Sequence, residues 1–165
     1  MPMILTGVGS RETPPIILAL MNKIAMSFSQ KGLILRSGGA LGADSAFEDY
    51  WNGPKEIYLP WNGYNGKKGI VPVIDSRHKA LASGAHPAWD RCSEGAKKMH
   101  CRNVCQVLGQ DLNTPANLLV CWTKDGGPTG GTGVAIRLAM QHDIPVYNLY
   151  NSDAIRELRA LFKTI

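Results

Sequence analysis

Residues 35–48 read LRSGGALGADSAFE: the end of an apolar run, then three glycines and an alanine, then a stretch of helical composition. Two physical causes can strip a strand-to-helix corner of side chains. A tight turn needs glycine for its backbone angles. Alternatively, a ligand lies against the bare amides at the helix start, where unpaired N–H groups and the positive end of the helix dipole welcome an anion. The stretch is neither a GxxxxGK[ST] loop nor a full GxGxxG, so by itself it leaves both causes open.

The same pattern recurs on either side of it. MILTG (3–7) reads as a first strand and runs into a second small-residue corner, TGVGSRE (6–12). Thr13 is expected to cap a helix whose first turn carries Pro14 and Pro15, where a missing N–H costs least. Ile17, Leu20, Met21, Ile24 and Phe28 then recur at helical spacing. LILR (33–36) and EIYLP (56–60) read as the next strands, with a helix over 43–51 between them. Helices are predicted near 75–83 and 88–109, then a strand NLLVCW (117–122) and a third glycine-rich corner, PTGGTG (128–133). A helix VAIRLAMQH, a strand PVYNL (145–149) and a helix over 153–162 complete the chain. Strands alternating with helices predict an α/β fold in three layers, a mainly parallel sheet with helices on both faces, as one domain over 1–165. Ligands of such sheets bind beyond the carboxyl ends of the strands, where all three corners are expected.

Bulk properties narrow the function. With 165 residues, 44% hydrophobic and 19% charged, the chain suits one folded core rather than a disordered segment. No apolar run reaches the roughly 18 residues that cross a bilayer, and MPMILTGVGSRE lacks the features of a secretory signal. A cytoplasmic protein without membrane partners is expected. The net charge of +5 is concentrated: residues 55–102 hold nine Lys/Arg against four Asp/Glu, and the remainder is balanced. Such a patch attracts a phosphate-bearing partner, although a solvated face accounts for many of the lysines. Cys92, His100, Cys101 and Cys105 crowd one segment, but no CxxC pair occurs, and the cysteines read as reduced thiols and small buried hydrophobes. No metal and no cofactor are assigned, and no nucleophile–His–carboxylate triad is evident.

The candidate phosphate or nucleotide site therefore comprises Gly9, Ser10 and Arg11 of the first corner, Ser37, Gly38, Gly39 and Ala40 of the second, and Thr129, Gly130, Gly131 and Thr132 of the third. Arg11 and Arg36 flank corners, where guanidinium forks suit phosphate oxygens; either can instead pair with Glu12, Asp44 or Glu48. Asp44, in a first helical turn, is expected to cap that helix or to touch a sugar hydroxyl. The segment from Trp61 to Val73 shows no period and reads as a long functional or mobile loop. Its Trp61 and Tyr64, beside Lys67 and Lys68, have the aromatic–cation interleaving that holds single-stranded nucleic acid, or else they anchor the loop to the core.

GVGSR (7–11), SGGALGAD (37–44), CRNVCQVLG (101–109) and TGGTGVAIRLAMQHDIPVYNL (129–149) occur in the order found in the DNA-processing protein A (DprA) family, and the chain resembles its Rossmann-like part. That resemblance covers most of the chain apart from 60–98. It implies a nucleotide-binding sheet, a homodimer and single-stranded DNA as partner, and it adds Arg102 and Asn103 to the candidate site. Recombinase loading, known for DprA itself, is not carried over, since its flanking helical domains have no counterpart here. MHCRN (99–103) also resembles the Met-His-x-Arg-Lys signature of the wider LOG group, whose members cleave the N-glycosidic bond of nucleoside monophosphates. Here Asn103 replaces the lysine, and Arg137 falls where the catalytic glutamate belongs. A guanidinium cannot stabilise an oxocarbenium ion, so hydrolysis would need a carboxylate from Asp44, Glu48 or Asp125. A non-catalytic module that binds a nucleotide signal is a further alternative.

Overall fold

The computed structural model describes residues 2–163. Five strands form one sheet: β1 (Ile4–Gly7), β2 (Ile34–Ser37), β3 (Lys55–Ile57), β4 (Leu118–Cys121) and β5 (Val146–Asn148). Their order is β3-β2-β1-β4-β5, and every pairing is parallel. Six helices connect and flank them: α1 (Pro15–Gln30), α2 (Ala43–Asp49), α3 (Ser76–Gly84), α4 (Glu94–Leu108), α5 (Gly133–Gln141) and α6 (Ser152–Phe162). This is the Rossmann-like, three-layer α/β arrangement expected from the alternation of patterns.

Side-chain alternation along the strands divides the core in two. Leu5, Leu35, Leu118 and Val120 pack with Met21, Ile24 and Phe28 of α1, Phe47 of α2 and Leu158 of α6. On the opposite face Leu119 and Cys121 pack with Val104, Val107 and Leu108 of α4 and with Leu138 and Ala139 of α5. Met21, Ile24, Ala25 and Phe28 are all fully buried and follow helical spacing, so α1 is held by one apolar stripe. Truncating such a side chain to alanine costs about 2–5 kcal/mol.

Several element boundaries differ from the sequence expectation, each for a local reason. Thr13 does not cap α1. Its hydroxyl donates to the Ser10 carbonyl (2.6 Å), and the N-cap position falls on Pro14. The helix predicted from 88 begins at Glu94, because Ser93 accepts from the Ala96 amide (3.1 Å) and caps it. Residues Trp89–Arg91 form a separate 3-10 turn ahead of that cap. The strand predicted over 56–60 ends at Ile57, yet its edge stays occupied. Leu59 N donates to the Ile70 carbonyl (2.7 Å), and Ile70 N donates to the Ile57 carbonyl (2.7 Å). The glycine-rich segment after Trp61 therefore returns along the sheet edge and contains a 3-10 turn, Tyr64–Gly66. No helix is long and apolar enough to cross a membrane among the described residues.

Candidate functional site

The chain leaves β1 towards β2 and β3, then returns to place β4 on the other side of β1. Connections from β1 and β4 thus diverge, and a crevice opens at their carboxyl ends, the switch point where such sheets bind ligands. A cavity of about 590 Å³ lies there. Gly9, Ser10, Arg11 and Glu12 line it after β1, Ala40 and Asp44 after β2, and Thr123 and Lys124 after β4. Thr129, Gly130, Gly131 and Thr132 close one side, while Tyr64 and the α4 residues His100, Arg102, Asn103 and Gln106 form its wall. Twelve of the eighteen residues singled out from the sequence thus share one cavity; Ser37, Gly38, Gly39, Trp61, Lys67 and Lys68 are not among its lining.

Arg102 organises the centre. It is 5% exposed. Its Nη1 donates to the carbonyls of Gly38 (2.5 Å) and Tyr58 (3.1 Å), and its Nε donates to Asn103 Oδ1 (2.9 Å). The guanidinium also lies 5.5 Å from the Tyr64 ring centroid, within cation–π range. Asn103 Nδ2 in turn donates to the Gly131 carbonyl (3.1 Å), which ties α4 to the third corner. Burial lowers the Arg102 pKa from its ordinary value, opposed chiefly by the neighbouring Asp44 carboxylate. Asp44 is buried beside it and accepts from the Ala40 amide (3.3 Å). Burial outweighs Arg102 and the amides of Ala40 and Gly9, pushing the Asp44 pKa up to about 6. Asp44 thus bridges two loops and changes charge near neutral pH.

The second corner is filled from beneath. Ser37 is fully buried, and its hydroxyl donates to the Gly7 carbonyl (2.6 Å), so it joins β2 to β1. A Cβ on Gly38 would stand 2.1 Å from Gln106 Nε2 and 2.8 Å from Arg102 Nη1. At Gly39 one would meet Leu59 at 2.9 Å, and the Gly39 carbonyl accepts from Asn65 (3.0 Å). Tight packing explains these two glycines. Arg36 is likewise structural: it pairs with Glu56 (3.1 Å) and donates to the Thr114 carbonyl (2.6 Å).

The first corner spends its amides internally. Ser10 N donates to the Trp122 carbonyl (3.1 Å), and Glu12 N donates to the Ser10 hydroxyl (2.9 Å). Arg11 is exposed at the cavity rim.

The third corner is open. Nothing lies within 4 Å of a Cβ built on Gly130 or on Gly131. Both residues start the 3-10 turn Gly130–Thr132, which runs directly into α5, so their amides precede the first internal hydrogen bond. The Thr129 hydroxyl donates to Asp125 (2.8 Å), which fixes the turn from outside. The Gly127 amide and that hydroxyl hold the Asp125 carboxyl below its usual range.

In the loop, Tyr64 is buried and sits edge-on to the half-exposed Trp61 ring, with centroids 5.4 Å apart. Its contact with Arg102 makes it the anchor of that segment. Lys67 pairs with Glu48 (3.5 Å) and Asp49 (3.8 Å), so its charge is already matched; Lys68 is exposed. The sequence reading missed Gln106, which fills the space under Gly38. Its signal was present: Arg102 and Gln106 are four apart and share a helix face, and polar side chains interrupt an otherwise apolar stretch of α4. His100 also reaches the wall, with its pKa lowered to about 4 by burial and then by His86 and Arg102.

Sheet and crevice together define a Rossmann-like α/β protein with a switch-point cavity. Neither a family model nor a curated protein matches the sequence. Among solved structures, the chain is similar to DNA processing protein A from Helicobacter pylori, described for its single-stranded DNA binding mode. Identity is 15% and TM-score 0.57, covering 99% of this chain and 74% of that one. It is also similar to two structures of the molybdenum cofactor carrier protein of Chlamydomonas reinhardtii. These have 19% and 20% identity and TM-scores of 0.52 and 0.54, each covering 97% of this chain and 83% or 84% of theirs. At these identities the likeness establishes the shared fold.

Proposed function

We propose that the switch-point cavity binds a phosphate-bearing ligand, a nucleotide or a single-stranded DNA segment, in the manner of a DprA-like domain. The observation that carries this reading is the open Gly130–Gly131 pair at the start of α5, facing a cavity of mononucleotide size. A phosphate seated on those amides would have Arg11 and Lys124 at the rim. The polar α4 side chains would meet the sugar or base. Likeness in fold to DNA processing protein A supports the nucleic-acid form of the reading; the molybdenum cofactor carrier supports a small cofactor-like ligand in the same crevice. Cavity size and the neutralised Lys67 favour the compact ligand over a long DNA track.

Native mass spectrometry of the purified chain, followed by titration with nucleoside monophosphates and with a short oligonucleotide at two salt concentrations, tests this. A saturable site with a shallow salt dependence identifies a mononucleotide. A steep salt dependence identifies DNA. Absence of binding to every phosphate-bearing probe overturns the reading. The same spectra give the mass of the particle and so test the homodimer implied by the DprA resemblance.

A second reading, LOG-like cleavage of an N-glycosidic bond, is favoured by one feature. Asp44 is a buried carboxyl on the cavity wall with its pKa raised to about 6, suited to donating a proton to a leaving base. Release of free base from a panel of nucleoside monophosphates would establish turnover. Bound but intact nucleotide would instead favour a non-catalytic nucleotide-sensing module.

A further inference from the structure

We propose that His86, Cys92 and His100 bind a divalent transition-metal ion of the zinc class. One ligand atom from each lies within 4.8 Å of the others. The Cys92 Sγ to His86 Nε2 separation is 3.5 Å. With Zn–S about 2.3 Å and Zn–N about 2.0 Å, the sulfur–nitrogen edge of a tetrahedral site is also about 3.5 Å, so this pair already stands at ligand spacing. The two imidazoles meet edge to face, inclined by 60°, with ring centroids 4.6 Å apart.

A second observation points to the same place. His100 is 8% exposed, and its Nδ1 is buried without a hydrogen-bond partner. An orphaned buried ring nitrogen is costly in a folded protein and calls for an explanation; coordination supplies one. Trp89 flanks both rings, at 6.5 Å from His86 and 6.4 Å from His100, and gives the site an apolar wall.

The donor set selects the metal. One thiolate and two imidazoles suit zinc and cobalt and disfavour magnesium or calcium, which prefer oxygen. The Ala88 amide donates to His86 Nδ1 (2.9 Å), which puts that ring's proton on Nε2 beside Cys92 Sγ, whereas an Nε2-coordinated ring carries its proton on Nδ1. Loading thus exchanges that hydrogen bond for coordinate bonds, and the nearby Arg102 charge opposes the cation. Three protein ligands leave a fourth position for water or an external ligand. His100 also lines the switch-point cavity, so the ion would sit in the cavity wall and join the loop before α4 to the helix itself. Cys101 and Cys105, which the sequence groups with Cys92, are both buried in the fold. Burial raises both thiols, Cys105 to about 12.

The test uses the full chain, reduced and stripped of metal, titrated with Co²⁺ and then with Zn²⁺. One equivalent of Co²⁺ is expected to give a thiolate-to-metal charge-transfer band with intense tetrahedral d–d absorption, bleached by equimolar Zn²⁺. Cys92→Ser should abolish the charge-transfer band, His86→Ala should weaken Co²⁺ binding by roughly tenfold or more, and Cys101→Ser should leave both unchanged. A second readout on the unmodified chain is independent of variant folding: Zn²⁺ should protect Cys92, mapped by mass spectrometry, from a small alkylating reagent. A charge-transfer band that survives in Cys92→Ser, no stoichiometric Co²⁺ binding at micromolar concentration, or unprotected Cys92 in the presence of Zn²⁺ overturns the proposal. None of these outcomes depends on the nucleotide reading, because no nucleotide is present.

Discussion

Two corners that look alike in the chain, Ser37–Gly42 and Thr129–Gly133, are opposites in space. Under Gly38 lie Gln106, Arg102 and Asp44, close enough that even a methyl group would collide. Beside Gly130 and Gly131 there is open space. Glycine has the same local effect in both, yet at one corner protein atoms occupy the room it leaves and at the other a ligand can. The filled corner serves the scaffold and packs on two buried charges of the cavity wall, Arg102 and Asp44; the open one offers bare amides. A glycine-rich strand-to-helix turn is therefore not a phosphate site until the space it clears is known to be vacant.

This contrast yields an ordered set of expected outcomes. Arg102→Met should have the largest effect. It leaves the buried Asp44 without its guanidinium and the Gly38 and Tyr58 carbonyls without a donor. Each buried polar group left without its partner costs about 1–3 kcal/mol, so a loss of about 3–5 kcal/mol is expected from the two carbonyls and the carboxyl together, read as a fall in the denaturation midpoint. A loss below about 1 kcal/mol would mean that the filled corner does not depend on this side chain.

Gly42→Ala comes next. Gly42 has φ +81°, and its Cβ would stand 2.8 Å from Arg11 Cα and 2.9 Å from the Ser10 carbonyl oxygen, both backbone. Backbone cannot yield as a side-chain tip does, so a loss of about 3 kcal/mol is expected. For a chain of this size that is roughly 6–12 °C in Tm by thermal unfolding. An unchanged Tm would show the two loops free to separate.

The third outcome is a pH dependence. Asp44 has a folded pKa of about 6 against 3.8 as its ordinary value. Between these two values the folded state holds the proton that the unfolded chain releases. Its contribution is fully present below pH 3.8 and is lost as pH rises through about 6. The total is on the order of 3 kcal/mol. Denaturation midpoints measured from pH 4 to pH 7 should fall along this course in the wild type and flatten in Asp44→Asn. Equal slopes in the two proteins would remove Asp44 as the titrating group.

Gly131→Ala should have the smallest effect on stability, within about 0.5 kcal/mol, since its Cβ enters open space. The same methyl group should weaken a phosphate-bearing ligand severalfold by holding it away from the amides, measured by titration calorimetry. Stability loss at Gly131 comparable to that at Gly42 would erase the distinction between the corners.

Much of the architecture was legible in the chain. Short apolar runs bounded by glycine and proline become the strands, and Met21, Ile24 and Phe28 at helical spacing become the buried face of α1. These signals are local: strand and helix periods repeat within a few residues. Boundaries slipped where a side chain chose among near-equal local partners, as Thr13 did in bonding the Ser10 carbonyl instead of capping α1. For the candidate site, the convergence of Gly9, Ser10, Arg11, Asp44, Arg102 and the third corner followed from parallel topology, which brings every strand's carboxyl end to one rim. The roles of Ser37, Gly38 and Lys67 did not, since each is set by a partner elsewhere in the fold.

A parallel α/β sheet with small-residue corners at one rim follows from the local pattern of the chain, because binary pattern and turn chemistry act over short stretches. Which corner is filled and which is open depends instead on packing between distant segments. The same packing brings His86 to Cys92 and His100 while Cys101 and Cys105 turn inward. Arg102 reaches Gly38 across 64 positions of chain. No local pattern encodes such a contact; it exists only when helix α4 packs against the sheet and the two segments must share the same volume.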